Sequence, residues 1–139
     1  NNENRKVYVI ISEGELYEGS TWETLLFIKH YQLTNLKIII DVNNLIILGK
    51  TDKSLKLNPI KNKIEGFGFK TNVINGHNFK ALLKSSKLLK NGKIGCLILN
   101  TIKGKGLKVM ENKPAWHYWN PLDSNETVKY LKELKDKYE

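Results

Sequence analysis

The stretch from Lys6 to Asn44 constrains the fold more than any other part of the chain. It opens with an uninterrupted apolar run over Lys6–Ile11, which predicts a buried strand. A tight turn at 12–15 follows. The next segment has helical periodicity, with a largely apolar face formed by Trp22, Leu25, Leu26 and Lys29. A second apolar run over Leu36–Val42 predicts another strand, so the stretch predicts one strand–helix–parallel strand unit.

Strand and helix signals continue to alternate through the rest of the chain. The predicted elements are a helix that starts at Asn58-Pro59, with Asn58 as N-cap, and runs to Gly66, a strand Phe67–Ile74, a helix Phe79–Leu89 capped by Asn78, a strand Ile94–Asn100 and a helix Glu126–Lys137 capped by Asp123 or Ser124. This order predicts an α/β fold with three layers, α/β/α, around a mainly parallel sheet.

Length and composition indicate a single globular domain spanning 1–139. The chain has 139 residues, 40% hydrophobic and 27% charged, which are ordinary globular values. No apolar run is long enough for a membrane span and no signal-peptide pattern opens the chain. Cys96 is the only cysteine and lies in an apolar strand, so we expect a small buried side chain, no internal disulfide and a cytoplasmic location.

A formal net charge of +9 raises the question of nucleic-acid binding. The excess is nearly all lysine, Arg5 is the only arginine, and the lysines are dispersed along the chain. No helix-turn-helix, zinc ligand set or aromatic RNA platform accompanies the charge. We therefore expect no specific nucleic-acid partner, and a basic site that accepts sugar phosphates explains the charge more simply.

Polar residues follow both strands of the first unit. Glu13 and Gly14 come directly after the first strand, and Asn43 comes directly after the second. Parallel strands end side by side at the carboxyl edge of a sheet, which is where open α/β sheets bind ligands. A carboxylate and an amide oxygen suit Mg²⁺, and amides around Gly14 at the start of a helix can hold a diphosphate. The spacing therefore predicts a metal–diphosphate site.

The same residues resemble a known family. In the thiamine diphosphate motif, Gly-Asp-Gly precedes Asn by some thirty residues. This chain resembles it, with 28 residues between Ser12-Glu13-Gly14 and Asn43-Asn44. The words EGSTWE (18–23), HYQLTNL (30–36) and IIIDVNN (38–44) resemble transketolase in its bacterial and split-subunit forms. The resemblance implies thiamine diphosphate and Mg²⁺, with Ca²⁺ as a possible substitute. It implies metal ligands at Glu13, Asn43 and the Leu45 carbonyl, and cofactor contacts at Gly14, Glu15, Glu18, Asn43, Leu45 and His117.

A later part of the chain extends this resemblance. Lys103-Gly104-Lys105-Gly106 resembles a transketolase segment that passes close to the cofactor, and the words MENKPAWH (110–117) resemble the phrase around an active-site histidine. The resemblance implies that His117 reaches the diphosphate and the substrate channel, where it could serve as a catalytic proton-transfer group. His77, in the turn 75–78, could also be catalytic, although a structural role in the turn is the simpler interpretation.

Three positions depart from the family pattern. Ser12-Glu13 replaces Gly-Asp, which adds a side chain at one position and a methylene at the other. Leu48 stands where the family usually has Asp, and Tyr118 stands where it usually has Gly, so we expect Tyr118 to crowd the channel. Ile46 and Ile47 are expected to pack against either the cofactor or the core.

The resemblance covers about Lys6 to Lys137 but implies only the second half of the family's diphosphate-binding domain. It implies a transferase that moves a two-carbon ketol unit between sugar phosphates, as part of a homo- or hetero-oligomer with a chain or domain that binds the cofactor's pyrimidine. The isolated chain is expected to be inactive. An alternative is a degenerate relative that has lost cofactor binding through Ser12 and Glu13 and serves as a structural or assembly module.

Overall fold

Parallel strands form the central sheet of the chain, for which a computed structural model describes residues 5–89, 94–118 and 124–138. In chain order the strands are β1 (Val7–Ser12), β2 (Leu36–Val42), β3 (Leu45–Ile46), β4 (Gly49–Lys50), β5 (Lys70–Asn75) and β6 (Gly95–Asn100). The sheet has the order β1-β2-β6-β5 and every pairing within it is parallel. Strands β3 and β4 form a separate small antiparallel hairpin.

Helices lie between these strands and after the last of them. They are α1 (Gly19–His30), α2 (Thr51–Ser54), α3 (Ile60–Gly66), α4 (Phe79–Ser86) and α5 (Ser124–Tyr138). Short 3₁₀ helices span Glu13–Tyr17, Lys87–Leu89 and Pro114–Trp116. Within the described part of the chain, no helix combines the length and apolar character needed to cross a membrane.

The strand order explains why helices cover both faces of the sheet. The chain moves in one direction from β1 to β2 and on to β5, and then steps back to β6. Crossovers between parallel strands are right-handed, so this reversal puts α4 on the face opposite to α1 and α3. The predicted three-layer α/β fold with a mainly parallel sheet is confirmed.

The hydrophobic core lies between one face of the sheet and helices α1 and α3. Alternate residues of β2 and β6 supply its centre, and α1 and α3 add two buried side chains each. The central members are Leu25, Ile28, Ile38, Ile40, Ile60, Ile64, Cys96 and Ile98. Cys96 is fully buried and burial raises the pKa of its thiol to about 12, which agrees with the expected buried side chain.

The buried face of α1 differs from the prediction. Leu25 and Ile28 are buried, whereas Leu26 is 60% exposed. Trp22 packs against the core and its Nε1–H donates to the Leu16 carbonyl at 2.9 Å. The indole thus fixes the rotation of the helix, and the apolar stripe follows 22, 25 and 28 rather than continuing through 26.

Strand β1 is not buried as its sequence predicts. Val7, Tyr8, Val9 and Ile10 are 47%, 55%, 37% and 71% exposed. The reason is topological, because β1 is the terminal strand of the sheet and no described strand lies beside its outer side.

Several element boundaries also differ from expectation. Helix α3 begins at Ile60 with Pro59 as its N-cap, one residue later than predicted, and no side-chain hydrogen bond caps it. Strand β5 begins at Lys70 rather than Phe67, because Gly68 turns the chain with φ +84° just before it. The prediction of Asn78 as cap is confirmed, since its Oδ1 accepts the Ala81 N–H at 3.0 Å. The alternative cap Asp123 lies outside the described residues.

Candidate functional site

A cavity of about 730 Å³ lies at the carboxyl end of β1 and β2. The 3₁₀ helix after β1, the loop and hairpin after β2 and the segment around His117 form its walls. Its lining residues are Ser12, Glu13, Gly14, Glu15, Tyr17, Glu18, Asn43, Leu45, Ile46, Ile47, Leu48, Ser54, Leu55, Lys103 and His117. The parallel register places Ser12 beside Asp41, so residues that follow the two strands reach the same space.

Glu13 joins the first strand end to the second. Its side chain is 1% exposed, and its Oε1 accepts the backbone N–H groups of Asn43 and Leu45, both at 3.1 Å. Burial raises the pKa of the Glu13 carboxyl, as does the nearby charge of Asp41, while hydrogen bonds from the backbone of Asn43, Asn44 and Leu45 lower it. Glu13 is therefore a structural anchor for the loop after β2.

The loop after β2 is also held by its own side chains. Asn43 Oδ1 accepts the Leu45 N–H at 3.0 Å, and Asn44 adopts a left-handed backbone conformation with φ +62°. Asp41 accepts the hydroxyl of Thr101 from the segment after β6. The polar groups at the ends of β1, β2 and β6 thus form one connected network.

Hydrogen bonds hold the segment from Thr101 to His117 in place at several points. His77 Nε2 accepts the Ile102 N–H at 2.8 Å, so the turn after β5 holds the segment beside Lys103. The Asn112 N–H donates to the Lys103 carbonyl at 3.0 Å, and Glu111 Oε1 accepts the Gly106 N–H at 3.3 Å. His77 does not line the main cavity, and its contact favours the structural interpretation of this residue.

Lys103 and His117 bring basic groups to the cavity. The Nδ1 atom of His117 is buried and has no hydrogen-bond partner within the described part of the chain. Leaving a buried polar atom unpaired is costly, and such atoms often mark sites completed by a ligand. Tyr118 is 76% exposed and does not line this cavity, and its expected crowding of the substrate channel stays a prediction.

The oxygen atoms around Glu13 fit a hard divalent cation. Glu13 Oε1 and Asn43 Oδ1 both lie within 3.1 Å of the Leu45 nitrogen, so the two predicted side-chain ligands converge. The Glu13 carboxylate accepts backbone hydrogen bonds from Asn43, Asn44 and Leu45, so a metal ion would share its oxygen atoms with these donors. Among described residues no three His, Cys, Asp or Glu side chains form a metal-binding group, so amide and carbonyl oxygens must complete the set.

Part of the cavity lining is apolar and accessible. Ile47, Leu48 and Leu55 line it and are 57%, 83% and 65% exposed. Ile47 therefore does not belong to the core, one of the two places expected for it. The lining thus combines apolar side chains with basic groups at Lys103 and His117 and acidic groups at Glu13, Glu15 and Glu18.

Comparison with known proteins agrees with this geometry. The family model described as transketolase, thiamine diphosphate binding domain, matches residues 1–138. The chain belongs to this transketolase family. It is 38% identical over 133 residues to the A subunit of apulose-4-phosphate transketolase from Actinobacillus succinogenes, a match that covers 95% of this chain and 48% of the relative. It is 32% identical over 132 residues to human transketolase, covering 93% of this chain and 20% of that protein.

Solved transketolases share the fold. The crystal structure of transketolase from Campylobacter jejuni superposes with a TM-score of 0.81 at 27% identity, covering 96% of this chain and 20% of that one. The chain thus spans about half the length of the Actinobacillus relative and a fifth of the human and Campylobacter proteins.

The transketolase resemblance points to residues that the structure brings to a single cavity. Glu13, Gly14, Glu15, Glu18, Asn43, Leu45 and His117 all line it. Their roles in binding and catalysis remain predictions. Two lining residues were not predicted from the sequence. One is Tyr17, whose hydroxyl donates to the Leu55 carbonyl at 2.9 Å. The other is Lys103, since nothing in its segment indicated which lysine would line the cavity. No local motif marks Tyr17, because its partner is distant in sequence.

Proposed function

We propose that this chain binds the diphosphate end of thiamine diphosphate, through Mg²⁺, in a transketolase-type enzyme. The observation that carries the proposal is the convergence of Glu13, Asn43 and Leu45 on one side of the cavity with His117 and Lys103 as further lining residues. The Glu13 carboxylate, Asn43 Oδ1 and the Leu45 carbonyl would hold the metal ion, and Ca²⁺ could replace Mg²⁺ because both prefer oxygen ligands.

When bound, thiamine diphosphate supplies a stabilised carbanion for cleaving a carbon–carbon bond beside a carbonyl group. The chain's own contribution would be to position the cofactor and to stabilise charge. Lys103 and His117 would neutralise phosphate oxygens, and the backbone around Gly14 would donate hydrogen bonds to them. The exposed apolar wall at Ile47, Leu48 and Leu55 would shield the ring portion of the cofactor from water.

His117 is the proposed catalytic residue. Its Nδ1, which has no hydrogen-bond partner among the described residues, is available to donate or accept a proton at the cavity. A phosphorylated ketose is the proposed donor and an aldose phosphate the proposed acceptor, with Lys103 as the lysine of the lining that would attract their phosphate groups. We also propose a cytoplasmic location, which the single buried thiol supports.

The reaction would require a partner. Two relatives are each the A subunit of an apulose-4-phosphate transketolase, and this chain spans 48% and 49% of them. We therefore propose an oligomer with a second chain or domain that binds the pyrimidine end of the cofactor. Glu15 and Glu18 lie exposed at the cavity and could take part in that contact.

A degenerate, non-catalytic module is the second candidate. Glu13 supports it as well, because its carboxylate already accepts backbone N–H groups of the loop after β2. In that case the chain would fold and assemble while binding cofactor weakly or not at all.

Thermal unfolding with Mg²⁺ and thiamine diphosphate, added together and separately, distinguishes the two candidates. The wild-type chain, Glu13→Asp and the matched control Glu23→Asp, at an exposed position of α1, would be compared with and without a chain carrying the pyrimidine-binding domain. Binding to the folded state alone stabilises by about 2.7 kcal/mol at a hundredfold excess of ligand over Kd.

The proposed function predicts a rise in Tm for the wild-type chain and the Glu23→Asp control that requires both metal and cofactor. A rise seen only in Glu13→Asp would support the degenerate module. No rise in any combination would reject cofactor binding.

A further inference from the structure

The segment 101–117, called the cavity loop below, carries Lys103 and His117, which both line the cavity. Its first and last parts are in direct contact. The Asn112 N–H donates to the Lys103 carbonyl at 3.0 Å. Gly104, with φ +75°, lies so close to the returning chain that a Cβ atom there would come within 2.7 Å of it. A displacement in one part of the loop is therefore transmitted to the other, because closely packed groups move together.

Gly106 joins the cavity loop to helix α5. Its N–H donates to Glu111 Oε1 at 3.3 Å, and its carbonyl accepts a hydrogen bond from the Lys137 ammonium at 3.1 Å. Gly106 has φ +117°, a backbone conformation that glycine adopts readily and other residues do not. A Cβ atom there would lie 3.4 Å from Leu134 Cδ2, so α5 packs directly against this part of the loop.

Charges favour the same arrangement. The Lys105 ammonium lies 3.4 Å from the Glu111 carboxylate. The Gly106 N–H first, and then the charges of Lys105 and Lys137, hold the pKa of Glu111 below its usual value, more than burial raises it. One carboxylate thus interacts with two ammonium groups where the loop meets α5.

Helix α5 itself has little buried surface. None of its side chains in 125–138 is buried. Apart from the contacts at Gly106, its Tyr130 ring packs edge-on against Trp116, the residue before His117, with ring centroids 5.9 Å apart. The helix therefore contacts the cavity loop near both ends, and an element with so few buried contacts can detach from the fold at low cost.

We infer that α5 holds the cavity loop in its binding conformation, with Lys137 as a positioning residue that acts through Gly106 on Lys103 and His117. The inference rests on the proposed binding of thiamine diphosphate. A loop held in place before the ligand arrives lowers the ordering cost of binding. Detachment of α5 removes the hydrogen bond to the Gly106 carbonyl and frees the loop, so affinity falls. Because coupling between two sites is reciprocal, bound ligand also holds α5 in place.

Calorimetric titration of thiamine diphosphate with Mg²⁺ tests the inference, on this chain together with a chain carrying the pyrimidine-binding domain. Lys137→Met removes the hydrogen bond to Gly106, and Lys132→Met makes the same change at an exposed position of the same helix. We expect affinity to fall about threefold to tenfold in Lys137→Met, as for the loss of one hydrogen bond. Lys132→Met should bind like the wild type. Lys137→Arg should recover affinity, because a guanidinium N–H can donate to the same carbonyl.

Hydrogen exchange distinguishes positioning from a general loss of stability. Without ligand, the Gly106 amide should exchange at least about threefold faster in Lys137→Met than in the wild type, whereas the Ile40 amide at the centre of the sheet should not change. Saturating ligand should slow exchange of the Gly106 amide in the wild type. Lys137→Arg should again resemble the wild type.

Several results would overturn the inference. They are equal affinities of the wild type and Lys137→Met, an equal loss of affinity in Lys132→Met, no recovery in Lys137→Arg, and an Ile40 amide accelerated as much as that of Gly106. Absence of binding by the wild type would have a different meaning. It would reject the proposed function and the positioning role with it, whereas the other results leave the proposed function standing.

Discussion

Glu13 and His117 both line the cavity, but their polar atoms are bonded in opposite ways. Glu13 is 1% exposed and its carboxylate accepts backbone N–H groups from the neighbouring loop. His117 has a buried Nδ1 without a hydrogen-bond partner among the described residues. A side chain whose bonds are internal stabilises the fold, and one whose bonding capacity is unused is available to a ligand. Glu13 variants should therefore change stability, and His117 variants should change binding.

The largest effect on stability is expected for Glu13→Ala. Removal of the carboxylate leaves the Asn43 N–H without its acceptor and weakens the bonding of the Leu45 N–H. Each unsatisfied buried group costs about 1–3 kcal/mol, so we expect a loss of about 2–3 kcal/mol in the free energy of unfolding. Urea denaturation measures it. Glu15→Ala, an exposed neighbour on the same cavity, is the control and should cost less than about 0.5 kcal/mol; equal losses for both would contradict the anchoring role.

A smaller effect is expected for His77→Ala. The substitution removes the acceptor of the Ile102 N–H, and a single hydrogen bond contributes about 1 kcal/mol. Hydrogen exchange at the Ile102 amide should become faster. His30→Ala, an exposed histidine on α1, should not affect that amide, and an unchanged Ile102 amide in His77→Ala would show that His77 does not hold the segment.

A smaller difference is expected between the wild-type chain and Glu13→Gln in how stability depends on pH. Burial raises the pKa of Glu13 above its ordinary value of 4.5, so the folded chain keeps the proton to higher pH than the unfolded chain. Between pH 4.5 and the pKa of Glu13 in the folded state, the folded protein binds more protons than the unfolded chain. The contribution of Glu13 to stability therefore falls as the pH rises from 4.5 through the folded-state pKa. Urea titrations from about pH 4 to about pH 7 should show this fall in the wild type, relative to Glu13→Gln. Parallel profiles would refute the raised pKa.

The smallest effect on stability is expected for His117→Ala, within about 0.5 kcal/mol, because its Nδ1 has no internal bond to lose within the described part of the chain. Its effect on binding should be large. Loss of a hydrogen bond to a charged ligand costs about 1.5–3 kcal/mol, so affinity for thiamine diphosphate with Mg²⁺ should fall about tenfold to a hundredfold. Titration calorimetry measures it, with His30→Ala, an exposed histidine on α1, as the control. A stability loss as large as that of Glu13→Ala would contradict the proposed difference between Glu13 and His117.

Sequence reasoning succeeded where local pattern and topology act together. The bounds of β2 agree with prediction because a run of isoleucine residues marks a buried parallel strand. The convergence of Glu13 and Asn43 follows from the same logic, since a strand–helix–strand unit brings two carboxyl ends to one edge. These inferences need no knowledge of distant contacts.

Prediction failed where the outcome depends on a distant partner or on what lies beside an element. The apolar run of β1 indicates what the strand is suited to bury, and only the sheet order shows that no described strand covers its outer side. The exposure of Leu26 reflects the hydrogen bond of Trp22 to Leu16, which fixes the rotation of α1. Similarly, the bond between His77 and Ile102 joins two loops that follow different strands, and no periodicity indicates it.

The burial of Cys96 has a practical consequence for labelling chemistry. The only thiol of the chain is fully buried at the centre of the sheet, and burial raises its pKa to about 12, so almost none of it is thiolate near neutral pH. Maleimide and iodoacetamide reagents should leave the folded native chain unmodified. A cysteine introduced at an exposed position would then carry a fluorophore or spin label selectively, without first removing the native residue from the core.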